Sequence, residues 1–329
     1  MMKITRKLFC PALLGCLIAV VIFGPRPSAA ALQQGDLRLG IIGTDTSHVI
    51  QFTKVLNDPG EPGHIPGAVV VVAFKGGSPD ITISRERVDG FAKELREKWH
   101  VKFVDQITEL CPLVDGILLE SVDGRAHLEQ FRQALTCGKP MYVEKPLAST
   151  LADAKQMVAL AAAAKVPWFS SSPLRFGPVQ ALRTPQVTGA IVWGPGPFEE
   201  NQQLDLAWYA IHSIEILFTV MGPDVQQVTR THTPNVDVLT GIWSGNRVGT
   251  VRAIRPYSSC GIAIFQEKDN EPVIYTHIEQ YLPLVEEIVK FVRTGIPPVS
   301  SQETLAIYSF MDAAQQSLER GGIPINVVK

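Results

Sequence analysis

Leu37-Arg38-Leu39-Gly40-Ile41-Ile42-Gly43-Thr44-Asp45-Thr46-Ser47-His48 reads as an apolar strand that stops at a glycine and turns into a helix. A strand followed directly by a helix N-terminus is how a Rossmann fold opens, and the turn between them is where that fold cradles a pyrophosphate. From Leu37 onward the chain keeps alternating. Ser47 to Asn57 has helical character, Ala68 to Phe74 is an unbroken apolar, β-branched run, and Val88 to Trp99 is helical again. Val101 to Val104 and Val114 to Leu119 read as strands, His127 to Thr136 as a helix, and Met141 to Val143 as a strand. Strands that are apolar throughout belong in a parallel sheet covered on both faces.

The pattern continues with an alanine-rich helix from Thr150 to Lys165, capped by Ser149 or Thr150, and a strand from Val166 to Ser171. Beyond Arg175 it changes. Gly189 to Trp193, Val225 to Thr231, Val238 to Trp243, Arg247 to Ile254 and Gly261 to Phe265 are closely spaced strands, and Tyr281 to Thr294 and Ser301 to Arg320 are terminal helices. The expected fold class is α/β, an N-terminal Rossmann-type parallel sheet with a C-terminal α+β domain on an open, mainly antiparallel sheet.

The 329 residues exceed one ordinary core, so two domains are expected. Ahead of them Lys3, Arg6 and Lys7 precede an apolar stretch from Leu8 to Gly24 and the small residues Ser28 to Ala31, the layout of a secretory signal peptide. A membrane anchor is the competing reading, but Pro11 interrupts the run and it falls short of the ~20 residues a spanning helix needs. Leu13-Leu14-Gly15-Cys16 also resembles a lipoprotein box, with Cys16 as the anchor. The expected division is therefore 1–31 signal peptide, 32–148 Rossmann-type NAD(P)-binding domain and 149–329 substrate and oligomerisation domain, in a periplasmic or extracellular protein.

Without the four basic residues of the leader, the 30 Lys and Arg no longer come near balancing the 32 Asp and Glu, and the formal charge is −6. An acidic chain without basic clusters excludes nucleic acid as the expected partner and points to small molecules. Cys111, Cys137 and Cys260 remain outside the leader, odd in number and widely spaced, which reads as three small buried residues and neither a disulfide framework nor a zinc site. The seven histidines form no H-E-x-x-H or H-x-H pattern, so no metal is expected.

In the first turn only Gly43 survives of G-x-G-x-x-G. Asp45 stands where a bare backbone normally admits phosphate, and two unit charges about 5 Å apart at an effective dielectric near 20 repel by roughly 3 kcal/mol. Asp45, Thr46 or Ser47 can equally cap the following helix. After the second strand, Lys75-Gly76-Gly77-Ser78 puts a cation where an acid would hold NAD's ribose, a weak preference for NADP, or simply a solvated lysine.

The run Gly138-Lys139-Pro140-Met141-Tyr142-Val143-Glu144-Lys145-Pro146-Leu147-Ala148, with Gly40-Ile41-Ile42-Gly43 before it and His127 opening the intervening helix, resembles the EKP signature of the Gfo/Idh/MocA oxidoreductases. The resemblance implies an NAD(P)-dependent enzyme that moves a hydride between the nicotinamide and a sugar, polyol or glycoside, and an oligomer formed through the open sheet. It implies cofactor contacts at Gly43, Thr44, Asp45, Thr46, Ser47, His48, Lys75, Glu120, Glu144 and Lys145. Lys145 would meet the reacting hydroxyl, unless it only pairs with Glu144.

The family also places an Asp four residues before a His on a helix of the second domain. Here Trp208-Tyr209-Ala210-Ile211-His212 keeps the histidine and loses the acid, so His212 lacks its orienting partner. Asp205, Tyr209, His212 and Glu215 fall within an arc of about 120° on a continuous helix, either a catalytic face or an ordinary solvent stripe. Catalytic candidates are thus Lys145, His212 and Tyr209, and substrate candidates Arg175, Asp205 and His212. The altered first turn and the leader also fit an exported carbohydrate-binding or non-redox protein that keeps the fold without the dinucleotide. A periplasm holds no free NAD(P) pool, so an exported redox enzyme must carry its cofactor with it.

Overall fold

The computed structural model describes residues 35–267, 271–278 and 280–328; the expected leader, Cys16 and the cleavage site lie outside them. Six strands, β1 (Leu37–Ile42), β2 (Ala68–Phe74), β3 (Lys102–Val104), β4 (Gly116–Leu119), β5 (Met141–Val143) and β6 (Trp168–Ser170), form one parallel sheet in the order β3-β2-β1-β4-β5-β6. This is the Rossmann order, with the crossover between β1 and β4 at the point where ligands bind. Helices α1 (His48–Asn57), α2 (Thr82–Glu97), α3 (Gly124–Leu135) and α4 (Leu151–Ala164) connect the strands. Both faces of β2 are covered, as its apolar run requires. Of the two expected caps on α4, Thr150 is the one whose side chain accepts the Asp153 N–H.

The sixth strand of this sheet, β6, lies beyond residue 148, with α4 leading into it. After the short α5 (Pro178–Ala181), the chain builds a second sheet from β7 (Val187–Pro195), β8 (Val225–Thr233), β9 (Val236–Trp243), β10 (Arg247–Ile254), β11 (Gly261–Gln266), β12 (Val273–Thr276) and β13 (Ile325–Asn326). Its order is β12-β11-β7-β10-β9-β8-β13, antiparallel except for the parallel pair β7 and β10. Helices α6 (Ile211–Met221) and α8 (Ser301–Glu319) cover one face. Helix α7 (Leu282–Thr294) returns to the first sheet, where Leu284, Val285, Ile288 and Phe291 pack with Leu39, Ile41 and Leu118. Each such buried side chain stabilises by about 1.5–3 kcal/mol.

One sequence expectation is corrected here. Cys111 and Cys137 form a disulfide, while Cys260 lies outside it and is buried. The 3-10 turn Ile107–Leu113 packs beneath α3, bringing the two Cα atoms to 4.6 Å across 26 residues of sequence. Wide spacing along the chain carried no information about that approach.

Candidate active site

The segment after β5 is held from three sides. His127 on α3 lies 2.7 Å from the Ser121 carbonyl and 3.1 Å from that of Leu147, tying the loops after β4 and β5 together. Tyr308 on α8 accepts the Ala148 N–H and donates to the Ala148 carbonyl. Gly124 begins α3 so close to this segment that a Cβ would stand 2.8 Å from the Ala148 carbonyl carbon. Lys145 is therefore carried on backbone fixed by both sheets' helices.

Lys145 opens into a cleft of about 440 Å³ that also takes in Thr46, Ser47 and His48 from the first turn and Trp208, Tyr209 and His212 from the approach to α6. Its ammonium lies 5.5 Å from the Tyr209 ring centre. Burial lowers the lysine below its ordinary value, against the pull of Glu144 and Glu215. Burial, then the charges of Lys145 and His48, push His212 well below the usual histidine range, which leaves a neutral imidazole able to accept a proton.

His212 has a partner after all. Its Nδ1 lies 2.7 Å from Ser172 Oγ, on the turn after β6, and the hydroxyl, which also accepts the Leu174 N–H, can donate or accept with either ring tautomer. Trp208, where an acid was expected, lines the cleft. Ser172 is the functional residue that sequence reasoning missed: the Ser170–Ser172 run was visible, but nothing in it pointed 40 residues ahead.

The continuous helical face expected from Asp205 to Glu215 does not form. Residues Asp205–Ala207 make a 3-10 turn and α6 starts only at Ile211. Asp205 turns away to Arg230, at 2.7 and 2.9 Å. Glu215 is buried and accepts from the Ser172 N–H at 2.9 Å and the Ser171 hydroxyl at 3.2 Å. Burial raises its carboxyl to about 7, with Arg175 opposing. Arg175 is no free clamp: it is buried, ion-paired with Glu303 and 3.6 Å from Glu215.

The first turn departs from expectation in a similar way. Asp45 faces inward, accepting the Ser84 hydroxyl at 2.6 Å and the Val122 N–H at 3.0 Å, and burial raises its pKa. Charge repulsion against a ligand in the cleft is thereby reduced. Gly43 has φ +88 and packs on Ser121, so no side chain fits there. Its N–H and that of Thr44 donate to the Phe74 and Lys75 carbonyls at 2.9 and 2.8 Å. Ser47 precedes α1 without a side-chain cap and lines the cleft, and Thr46 Oγ accepts the His48 N–H at 3.4 Å at the helix end where the fold places a diphosphate. The helix end suits a phosphate, while the loop after β2 packs against the first turn, a Cβ on Gly76 standing 3.0 Å from Gly43 Cα. Lys75 pairs with Asp89 at 2.5 Å and lines a separate groove with Gly76 and Gly77. Glu120 is fully buried behind the first turn, and Glu144 accepts from Tyr142 and meets His48 Nδ1 at 2.8 Å.

Residues 82–171 match a family described as "Oxidoreductase family, NAD-binding Rossmann fold", the Gfo/Idh/MocA oxidoreductases. The match spans less than a third of the 329 residues. It contains α2 through β6, with Glu144-Lys145-Pro146 inside it. Over 100 residues the chain is 32% identical to "Putative oxidoreductase YceM" of Salmonella typhimurium LT2, a match covering 30% of this chain and about a third (32%) of the relative's length. Solved structures cover more. A "probable dehydrogenase" from Thermotoga maritima aligns with TM-score 0.70 at 19% identity, over 88% of this chain and 99% of that one. Myo-inositol dehydrogenase from Lactobacillus casei, in complex with NAD(H) and myo-inositol, aligns with TM-score 0.68 at 17% identity, over 89% and 97%. At these identities the likeness is one of fold.

Proposed function

We propose that the chain is an NAD(H)-dependent oxidoreductase acting on a hydroxyl-bearing carbohydrate, polyol or related glycoside. The observation that carries this reading is the convergence of Lys145 and neutral His212 on one cleft, each brought there by a different sheet's elements. Gly43, Thr46, Ser47 and His48 would hold the cofactor at the first turn, and a bound nicotinamide supplies the hydride acceptor. Lys145 hydrogen-bonds the substrate hydroxyl and stabilises the negative charge that grows on its oxygen. His212 takes the hydroxyl proton, with Ser172 holding its ring. NAD(H) is preferred to the NADP suggested by Lys75, because Asp89 already neutralises that cation. Export is part of the proposal: the Cys111–Cys137 disulfide suits an oxidising compartment, as does the basic, apolar, small-residue order of the first 31 residues.

One observation favours a second reading. The loops after β1 and β2 are hydrogen-bonded to each other, and a Cβ on Gly76 would lie 3.0 Å from Gly43 Cα, which closes the path a diphosphate takes along the sheet. A chain that keeps this closure in solution would bind carbohydrate without redox chemistry. Denaturing the purified protein and measuring released nucleotide by mass spectrometry, with NAD and NADP titrations alongside, separates the two. The redox reading expects nucleotide in the supernatant or saturable binding, and Lys145→Ala and His212→Ala each lowering turnover by about 10² or more while the fold stays intact. No nucleotide retained and none bound would end it.

A further inference from the structure

Behind the cleft, three residues from three elements converge. His48 begins α1, Glu120 follows β4 and Glu144 follows β5. One potential ligand atom of each lies within 4.8 Å of the other two, and all three side chains are buried. Both carboxylate oxygens of Glu120 and Oε1 of Glu144 are buried without a hydrogen-bond partner. Neither protonation state of Glu120 resolves this. The ionised form is an uncompensated buried charge beside a second carboxylate, and the neutral form has a hydroxyl with nothing to receive its proton.

We propose that His48, Glu120 and Glu144 form a binding site for a divalent transition-metal ion such as Zn2+ or Mn2+. One imidazole nitrogen with two carboxylates is a donor set such ions accept, and three protein ligands leave a coordination position open. Ligands about 2.1 Å from a tetrahedral metal stand about 3.4 Å apart, so the 2.8 Å between His48 Nδ1 and Glu144 Oε2 opens by about 0.6 Å and the 4.8 Å limit of the cluster closes by about 1.4 Å of carboxylate movement. Tyr142, donating to Glu144 at 2.8 Å, orients that ligand as outer-shell groups do. His48 lines the cleft and gives the ion a route in. Binding replaces a proton held in the cluster with the cation, so uptake releases protons. The site does not depend on the redox reading, since a carbohydrate-binding protein would carry it equally.

The test uses the full chain, stripped with a chelator and titrated with Zn2+ or Co2+ alone, read by calorimetry, bound-metal stoichiometry and the visible spectrum of the Co2+ form. One equivalent per chain is expected, with a spectrum showing nitrogen ligation. Glu120→Gln, nearly the same shape, should weaken binding by about tenfold or more and leave the metal-free protein folded. Wild type that takes up no stoichiometric metal overturns the proposal, and so does Glu120→Gln binding as tightly as wild type. If that variant does not fold, anomalous diffraction from Zn2+-soaked wild-type crystals decides: density between His48, Glu120 and Glu144 supports the site, and an ion elsewhere overturns it.

Discussion

His212 shows what a single residue contributes that its neighbours in sequence do not reveal. The residues before it lack the expected acid, yet Ser172 Oγ stands 2.7 Å from its Nδ1. Replacing Ser172 with alanine removes this partner without removing the base. The expected result is a fall in kcat of about tenfold to a hundredfold, with the KM for cofactor little changed, in steady-state kinetics; a variant as fast as wild type would remove Ser172 from the mechanism. Lys145 was legible from the chain because its signal is local, two neighbours and a preceding strand. Ser172 was not, because its role exists only where β6 and α6 meet. Asp45 was misread for a related reason: its position in the turn is local, but whether it faces the cleft or Ser84 is decided by α2 packing behind it.

Most elements follow from local sequence and fall within a residue or two of their expected ends, since apolar runs, caps and glycines act within a few residues. Helix α2 starts at Thr82, six residues before the expected Val88, and β12 and β13 were not expected; from Asp205 to Met221 periodicity suggested one helix, and the chain instead spends three residues in a tight turn to send Asp205 to Arg230. Helix α6 then joins the turn after β6 and helix α8 through Glu215, Arg175 and Glu303. Glu215 is raised from the ordinary 4.5 to about 7 by burial. A carboxyl raised on folding contributes stability that is full below its unfolded pKa and is lost as pH rises through the folded one. Unfolding free energy should therefore fall between about pH 4.5 and pH 7 in wild type relative to Glu215→Gln, by about 1–3 kcal/mol. Urea midpoints measured across that window check it, and parallel curves for the two proteins would contradict it.

At the scale of the molecule, the parallel sheet and its Rossmann order were legible because alternation of strand and helix leaves few topologies. Closures between distant segments were not. The Cys111–Cys137 bond ties the turn before β4 to the end of α3, and replacing both cysteines with serine should cost about 3 kcal/mol in denaturant unfolding, an effect that a reductant reproduces in wild type only. The second sheet leaves a further closure undone. Its outer face exposes Ile191 on β7, Val248 on β10, Phe265 on β11 and Ile274 on β12. Strand register puts these on one side, since Ile191 lies opposite Ala263, Ala263 opposite Ile274, and Val248 and Phe265 both opposite Gly189. α6 and α8 cover the other side, and among the described residues this one is left exposed for a second copy. An apolar face spread over four adjacent strands suits a symmetric pair of sheets packed face to face. Light scattering should then give twice the chain mass, and Ile191→Glu with Val248→Glu should convert it to a monomer whose near-ultraviolet spectrum is unchanged, because both side chains point away from the core. A wild-type monomer at the same concentration would mean that the face stays open.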